Sequence, residues 1–364
     1  MLLSVQPKRG RLNLSSIWPT QPADQFGRLR DSFVAASRLL PTTDEEAKFA
    51  GYPVRLSVAG AELASSLKRA VIAKERSRSC DLSVELWDST AAPGVFVPPV
   101  PSGLRTYGLV TSDADGRFIV DSRPNGLLIL DRLENRIVGY YAGASSLFLD
   151  ERARPLHRLL SVWLGDRGVQ FIHAGVVSAG DAGILLAGGG GAGKSTTSLL
   201  CLLAGLGYLS DDFAAFTQDA SGVTAHCLFT SAVVQLHHLQ QFPKLTTAAQ
   251  KPNYEHEDKS IVFVGELLPS AIRASVPVRT ILLPRVMKRA ETQIVPASSR
   301  EALLALAPSS VMLLPGGGPR ALQRLASLVS AVPAFKLELG YDYNRIPALI
   351  GEHASKLGAE QPVE

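Results

Sequence analysis

The sequence predicts an α/β protein in two parts, a smaller α+β domain followed by a larger α/β domain. Three observations predict it. Strand and helix patterns alternate in the first half, a proline-led helix begins at Pro155, and a strand, a glycine-rich loop and a helix follow one another in the second half. Because a domain has about 150 residues, a chain of 364 residues favours two domains. We place them at residues 1–150 and 151–364.

The first part has the pattern of an α+β domain. Residues 53–58 alternate with period two, residues 63–72 carry apolar side chains at helical spacing, and residues 82–86 alternate again, which predicts strand, helix, strand. Three short strand patterns come later, separated by glycine-containing turns: 118–120, 127–130 and 137–141. We expect these three to form an antiparallel meander.

Composition and charge narrow the classes of partner. With 46% hydrophobic and 19% charged residues, the chain has the composition of a folded protein. Its net charge is +4, but the basic residues are scattered, whereas a nucleic-acid groove needs clustered ones. The longest apolar stretches, such as 199–209, are shorter than the about 20 residues that span a bilayer, and residues 1–10 lack the apolar core of a secretory signal. We therefore expect a cytoplasmic protein without a nucleic-acid or membrane partner.

The second part contains the strongest motif of the chain. Residues 155–164 predict a helix, and residues 169–177 and 184–187 predict strands around a Gly180-Asp181 turn. Eight residues then match the phosphate-loop pattern G-x-x-x-x-G-K-[ST] in full: Gly188, Gly189, Gly190, Gly191, Ala192, Gly193, Lys194 and Ser195.

The context of this motif is that of a nucleotide site. A strand precedes it, and a helix beginning near Thr196 follows it, so backbone N–H groups and the helix terminus face a bound anion. We expect residues 188–196 to bind the phosphates of ATP, with Lys194 at the β and γ phosphates and Ser195 at Mg²⁺. A plain strand-to-helix turn is the alternative, but it needs only one or two glycines and gains nothing from that lysine and serine.

An acidic pair and a histidine lie near the motif in sequence. Asp211 and Asp212 end a short strand pattern that follows the phosphate-loop helix. Adjacent side chains of a strand point to opposite faces, so one carboxylate is expected to hold the metal while the other faces a phosphate acceptor. His173 lies in an apolar strand pattern, where a histidine taken alone is more often a hydrogen-bonded core residue than a catalytic one.

Three segments together resemble the HPr kinase/phosphorylase family in order and spacing: residues 173–177 (HAGVV), 188–195 and 208–212 (YLSDD). The likeness covers residues 155–245 well and extends more weakly to the carboxyl terminus. It is greatest to the HPr-kinase-like peptide kinases encoded with lasso-peptide biosynthesis genes and to related serine kinases. Two features of the family are missing, a further acidic metal ligand, where this chain has His237 and His238, and a glycine-rich signature of the phosphorylase reaction.

The resemblance implies a site and a reaction. It implies that Asp211 is the general base toward a serine hydroxyl of a peptide or protein, that His173 lies beside it, and that Asp212 and Ser195 hold Mg²⁺. It also implies a mixed sheet similar to that of the nucleotide domain of phosphoenolpyruvate carboxykinase, and a homo-oligomer. Because these two features are missing, the resemblance implies neither the reverse reaction nor HPr as the substrate.

Weaker positions and alternative functions stay open. Lys259 and Arg285 could each add positive charge at the transferred phosphate, or could be solvated surface charges. Adjacent His237 and His238 would point to opposite faces of a strand, so we expect them not to bind metal. The alternatives to a peptide or protein kinase are a kinase of a small hydroxylated metabolite and a non-catalytic protein that ATP closes on a partner.

Overall fold

The first half of the chain forms one mixed sheet of eight strands. A computed structural model describes residues 21–74, 80–251, 253–254, 258–312, 314–315 and 317–359. The elements of this half are α1 (Pro22–Leu39), β1 (Thr42–Phe49), β2 (Tyr52–Ala59), α2 (Ala61–Lys68), β3 (Ala73–Lys74), β4 (Leu82–Asp88), β5 (Leu109–Ser112), β6 (Phe118–Arg123), β7 (Gly126–Asp131) and β8 (Arg136–Tyr141).

The strands of this first sheet run in the order β3-β1-β2-β4-β8-β7-β6-β5. β2 and β4 are parallel and are joined through α2, which is the predicted strand, helix, strand unit. α2 buries Leu63 and Leu67 on the sheet, as its apolar spacing requires. β5 to β8 pair antiparallel in sequence order, so the predicted meander is present with one more strand than expected.

The second half begins with two short helices and continues as a second mixed sheet. Its helices are α3 (Leu149–Ala153), α4 (His157–Gly165), α5 (Lys194–Leu203), α6 (Leu236–Leu239), α7 (Pro243–Thr246), α8 (Val264–Leu267), α9 (Ser299–Met312), α10 (Pro319–Ala331) and α11 (Ile346–Ala359). Its strands are β9 (Gln170–Ala179), β10 (Ala182–Ala187), β11 (Gly207–Ser210), β12 (Phe213–Asp219), β13 (Gly222–Cys227), β14 (Ser231–Gln235), β15 (Lys259–Phe263), β16 (Ser275–Val286), β17 (Gln293–Ala297) and β18 (Ala334–Leu339). Single turns of 3₁₀ helix occur at Ala144–Ser146 and Pro269–Ala271.

The pairing of the second sheet brings four strand ends to one edge. β11 and β10 both pair antiparallel with β9, while β16 is parallel to β10 and β18 is parallel to β16. The carboxyl ends of β11, β10, β16 and β18 therefore lie side by side in that order, with the second half of β9 between β11 and β10. The mixed sheet agrees with the expectation from sequence.

The two halves share a hydrophobic core. α4 buries Leu159, Leu160 and Trp163 in a cluster that contains side chains of the first sheet and also Phe171 and Phe229 of the second half. The predicted boundary after residue 150 falls inside α3, next to this shared core. The expectation that His237 and His238 lie on a strand is wrong, because both lie on the single helical turn α6. In the described residues no helix is both long and apolar enough to span a bilayer.

Candidate functional site

The glycine-rich segment forms a loop between β10 and α5, as the motif predicts. Gly191 and Gly193 have φ values of +78° and +104°, which favour glycine because other side chains clash there. A Cβ atom on Gly193 would lie 2.7 Å from a methyl carbon of Leu339, so this position also needs a residue without a side chain. The loop opens into a cleft of about 430 Å³ that residues 189–197 line.

Lys194 is the first residue of α5 and lies inside the loop. Its side chain is 6% exposed, and Nζ donates to the carbonyl oxygens of Gly188 and Gly189 at 2.7 and 3.2 Å. Burial lowers the pKa of Lys194, and the negative charge of Asp211 opposes that shift. An ammonium group is thus held where the phosphates of a nucleotide would lie in a loop of this kind.

Asp211 lies below the floor of the cleft. It is 2% exposed, and it accepts hydrogen bonds from the Tyr208 hydroxyl at 3.2 Å and from the Val233 N–H at 3.1 Å. It also hydrogen-bonds with the Ser195 side chain. Burial raises the pKa of Asp211, against the effect of these donors and of Arg154. The carboxylate therefore lies between β11 and β14, beneath the cleft.

Asp212 faces the cleft and binds two basic side chains. Its Oδ1 lies 2.6 Å from Nε2 of His173, and its Oδ2 forms an ion pair with Arg154. Asp212 lies in the bend directly before β12, and Phe213 at the start of β12 pairs with His173 on β9, so the histidine is within reach of the Asp212 carboxylate. Asp212 and His173 both line the cleft, with side chains 22% and 17% exposed.

Burial favours the neutral form of the His173 ring. It lowers the pKa of His173 to about 3, and the positive charges of Lys194, Arg154 and Lys259 add to this shift. An ionised carboxylate can only accept, so the single ring proton is on Nε2. Nδ1 is buried and has no hydrogen-bond partner within the described residues.

Of the two weaker positions, Lys259 lies in the cleft and Arg285 lies outside it. Lys259, the first residue of β15, lines the cleft and acts electrostatically on His173. Arg285 is exposed on β16 and is not part of the cleft lining. His238 lines the cleft, whereas His237 is exposed. Thus Lys194, Ser195, Asp212, His173 and Lys259 share one cleft, and Asp211 lies directly beneath it.

Arg154 is the site residue that sequence reasoning missed. It follows α3, its side chain is 12% exposed, and its guanidinium lies 5.1 Å from the centre of the Phe213 ring. Burial lowers its pKa, and the negative charges of Asp150 and Asp211 oppose that shift. No motif surrounds this arginine, and its only sequence signal is its place directly before Pro155.

The residues beside the loop fit a magnesium ion. Mg²⁺ prefers hard oxygen ligands and keeps several waters, so one hydroxyl and one carboxylate make a suitable donor set. Ser195 and Asp211 supply these groups and already contact each other. Thr197 adds a buried hydroxyl that lines the cleft and has no partner among the residues described. The described residues contain no cluster of three or more His, Cys, Asp or Glu that could hold a metal without a substrate.

No protein-family model matches the chain, and no curated protein matches it. Among solved structures, the chain is similar to the Hpr(Ser) kinase/phosphatase from Coxiella burnetii, at 15% sequence identity and a TM-score of 0.32. This likeness covers 52% of the present chain and 94% of that one.

Proposed function

We propose that the protein is an ATP- and Mg²⁺-dependent kinase that transfers the γ-phosphoryl group to a serine hydroxyl of a peptide or protein. The observation that carries the proposal is the single cleft that joins the phosphate loop, with Lys194, to the carboxylate of Asp212. A protein that only binds nucleotide needs the loop. It has no need of a carboxylate held by a neutral histidine at the far end of the cleft.

The geometry gives the adjacent aspartates roles opposite to those implied by the family resemblance. Asp212 faces the cleft, so we assign it as the general base. Asp211 is buried and hydrogen-bonds with Ser195, so we assign these two as the residues that hold Mg²⁺. When bound, the metal neutralises phosphate charge and orients the phosphates. The expectation that two neighbouring carboxylates do two jobs is kept, with the residues exchanged.

The residues act on the transfer as follows. Lys194 binds the β and γ phosphates, and Lys259 adds positive charge on the acceptor side. The Nε2–H of His173 donates a hydrogen bond to one oxygen of Asp212, and Arg154 pairs with the other oxygen, so both contacts fix the carboxylate. The acceptor oxygen attacks the γ-phosphorus, the bond to the bridging oxygen of ADP breaks, and the acceptor proton passes to Asp212.

The serine acceptor rests on the motif resemblance, which also suggests a ribosomally made precursor of the lasso-peptide type. The acceptor end of the cleft is lined by Val233, Val234 and Gln235 of β14 and by His238 and Gln241. Backbone and amide groups of this kind suit a peptide segment. A small hydroxylated metabolite remains the second acceptor class to be assayed.

The test is phosphate transfer from labelled ATP to the products of neighbouring genes and to a serine-containing peptide library, read by mass spectrometry. Asp212→Asn should lower the transfer rate by roughly 10²- to 10⁴-fold, the usual contribution of a general base, with ATP binding nearly unchanged. Lys194→Ala should weaken both binding and transfer. Arg285→Ala is the matched control, because Arg285 lies outside the cleft.

Asp211→Asn separates the two assignments. It should weaken ATP binding when Mg²⁺ is present and have little effect when Mg²⁺ is absent. If Asp211→Asn abolishes transfer without any loss of binding, while Asp212→Asn transfers normally, the base assignment made here is wrong. If the wild-type chain binds ATP but phosphorylates no acceptor in either class, the kinase proposal itself fails.

A further inference from the structure

We infer that Tyr341 and Tyr343 form a stacking platform for the base of the nucleotide. This inference rests on the proposed function and adds the part of the site that recognises the nucleoside. The two tyrosines lie in the loop between β18 and α11, and both line the same cleft as the phosphate loop. The sequence motifs assigned no role to this loop.

The order of strand ends gives the cleft a direction. Along its edge the cleft passes from Asp212 after β11, across His173 on β9, to the phosphate loop after β10, and then to the ends of β16 and β18. The γ-phosphate must lie toward Asp212 for transfer to occur. The nucleoside must then extend the other way, over the end of β18.

The lining of that far end suits an aromatic base. The acceptor end carries Asp212, His173 and Lys259, whereas the opposite end carries aliphatic and aromatic side chains. Those six residues are Leu200, Val286, Leu339, Tyr341, Tyr343 and Ile346. A base has two flat apolar faces, and base–aromatic stacking needs no particular hydrogen-bond pattern.

Both tyrosines are exposed to an unusual degree for large side chains. Tyr341 is 62% exposed and Tyr343 is 43% exposed. Leaving two aromatic rings open at one end of a cleft forgoes the stabilisation that their burial would bring. A base stacked on the rings would bury part of that apolar surface.

The loop that carries the tyrosines is fixed to the sheet. Asp342, between them, accepts from the N–H of Thr292 at 3.1 Å and from its hydroxyl, and the Thr292 hydroxyl accepts from the Gly340 N–H at 3.0 Å. The Tyr341 N–H donates to the carbonyl of Ala290 at 3.1 Å. A Cβ on Gly340 would lie 2.6 Å from the backbone of Glu291, so the loop packs closely there. The backbone that carries the rings is therefore fixed at the end of the cleft before any ligand binds.

The experiment compares two ligands that differ by the nucleoside. Isothermal titration measures binding of ATP and of inorganic tripolyphosphate, each with Mg²⁺, to wild type and to the double variant Tyr341→Ala/Tyr343→Ala. The double variant should bind ATP about fivefold or more weakly, in line with the loss of a base stack, and tripolyphosphate within about twofold of wild type. The double Phe variant should bind ATP as wild type does, because it keeps both rings.

Tyr107→Ala is the matched control, since Tyr107 is 81% exposed and lies outside the cleft. Equal weakening of ATP and tripolyphosphate in the double Ala variant would overturn the inference, because the loop would then be shaping the phosphate loop. Unchanged ATP binding would also overturn it and would leave the kinase proposal standing. A wild-type chain that binds neither ligand would overturn both.

Discussion

Asp212→Asn should destabilise the protein, whereas Asp211→Asn, one residue earlier, should not. Arg154 is almost buried and forms an ion pair with Asp212. Burial lowers the pKa of Arg154, because removal from water disfavours its charged form. An amide at position 212 leaves that charge without its direct partner. Asp211 differs, because burial raises its pKa and so disfavours its charged form. A neutral amide at this position has no charge to desolvate.

The structure sets the size of the effect. Removing one member of a buried ion pair usually costs about 3–5 kcal/mol. Asp150 and Asp211 also act on Arg154, and the Asp212 side chain is 22% exposed, so we expect the low end of that range, about 3 kcal/mol. Asp211→Asn keeps one acceptor oxygen for the Val233 N–H, and its NH2 group can donate to the hydroxyl oxygen of Tyr208, whose proton also has the Ser231 carbonyl as an acceptor. We therefore expect a change within about 1 kcal/mol.

Equilibrium unfolding in urea at pH 7, without nucleotide, measures both variants. The fluorescence of Trp87 and Trp163, both fully buried, reports the unfolding. A double-mutant cycle with Arg154→Met isolates the pair, and its coupling energy should exceed about 1 kcal/mol. Equal unfolding free energies for the two Asn variants, or a coupling energy near zero, would refute the argument that Asp212 neutralises Arg154.

Two further predictions follow from buried positions. Glu151 lies beside Arg123, and burial raises its pKa to about 7. The stability that its protonated carboxyl contributes is therefore fully present below the unfolded pKa near 4.5 and is lost as the pH rises through 7. Urea unfolding should show wild type losing up to about 3 kcal/mol relative to Glu151→Gln between pH 4.5 and pH 8, and a pH-independent difference would contradict this. Gly193→Ala should cost about 1–3 kcal/mol and weaken ATP binding, because its φ is +104° and its Cβ would meet Leu339. Gly189→Ala, which has open space at its Cβ position, should leave the stability unchanged, and an equal loss of stability in the two variants would count against the argument.

The sequence identified those parts of the fold that local patterns determine. Local patterns predicted five of the eight strands of the first sheet, and β6 to β8 occur close to the residues expected. The succession of strand, glycine-rich loop and helix at β10 and α5 was predicted because one local segment determines it. Helix α4 begins at His157, two residues after the expected start at Pro155, because Leu156 takes a left-handed conformation with φ +62°.

The parts that could not be predicted depend on contacts between distant residues. Arg154 meets Asp212 because α3, which it follows, packs on β14 and β15, and no local pattern marks an arginine for such burial. The same holds for Tyr341 and Tyr343, which the Asp342–Thr292 hydrogen bonds hold at the cleft across 50 residues of sequence. The predicted division at residue 150 separates the two sheets in sequence. It does not separate their cores, which the side chains of α4 join.

The acidic pair shows how far a motif can be taken. The sequence placed Asp211 and Asp212 at the end of a strand, but both lie in the bend between β11 and β12. Their different environments therefore come from the path of that bend and not from strand alternation. Asp212 reaches His173 at the cleft, whereas Asp211 turns toward Tyr208 and Val233. The motif locates the acidic pair, whereas only the folded bend distinguishes its members, and this difference is the basis of the roles that we propose for them.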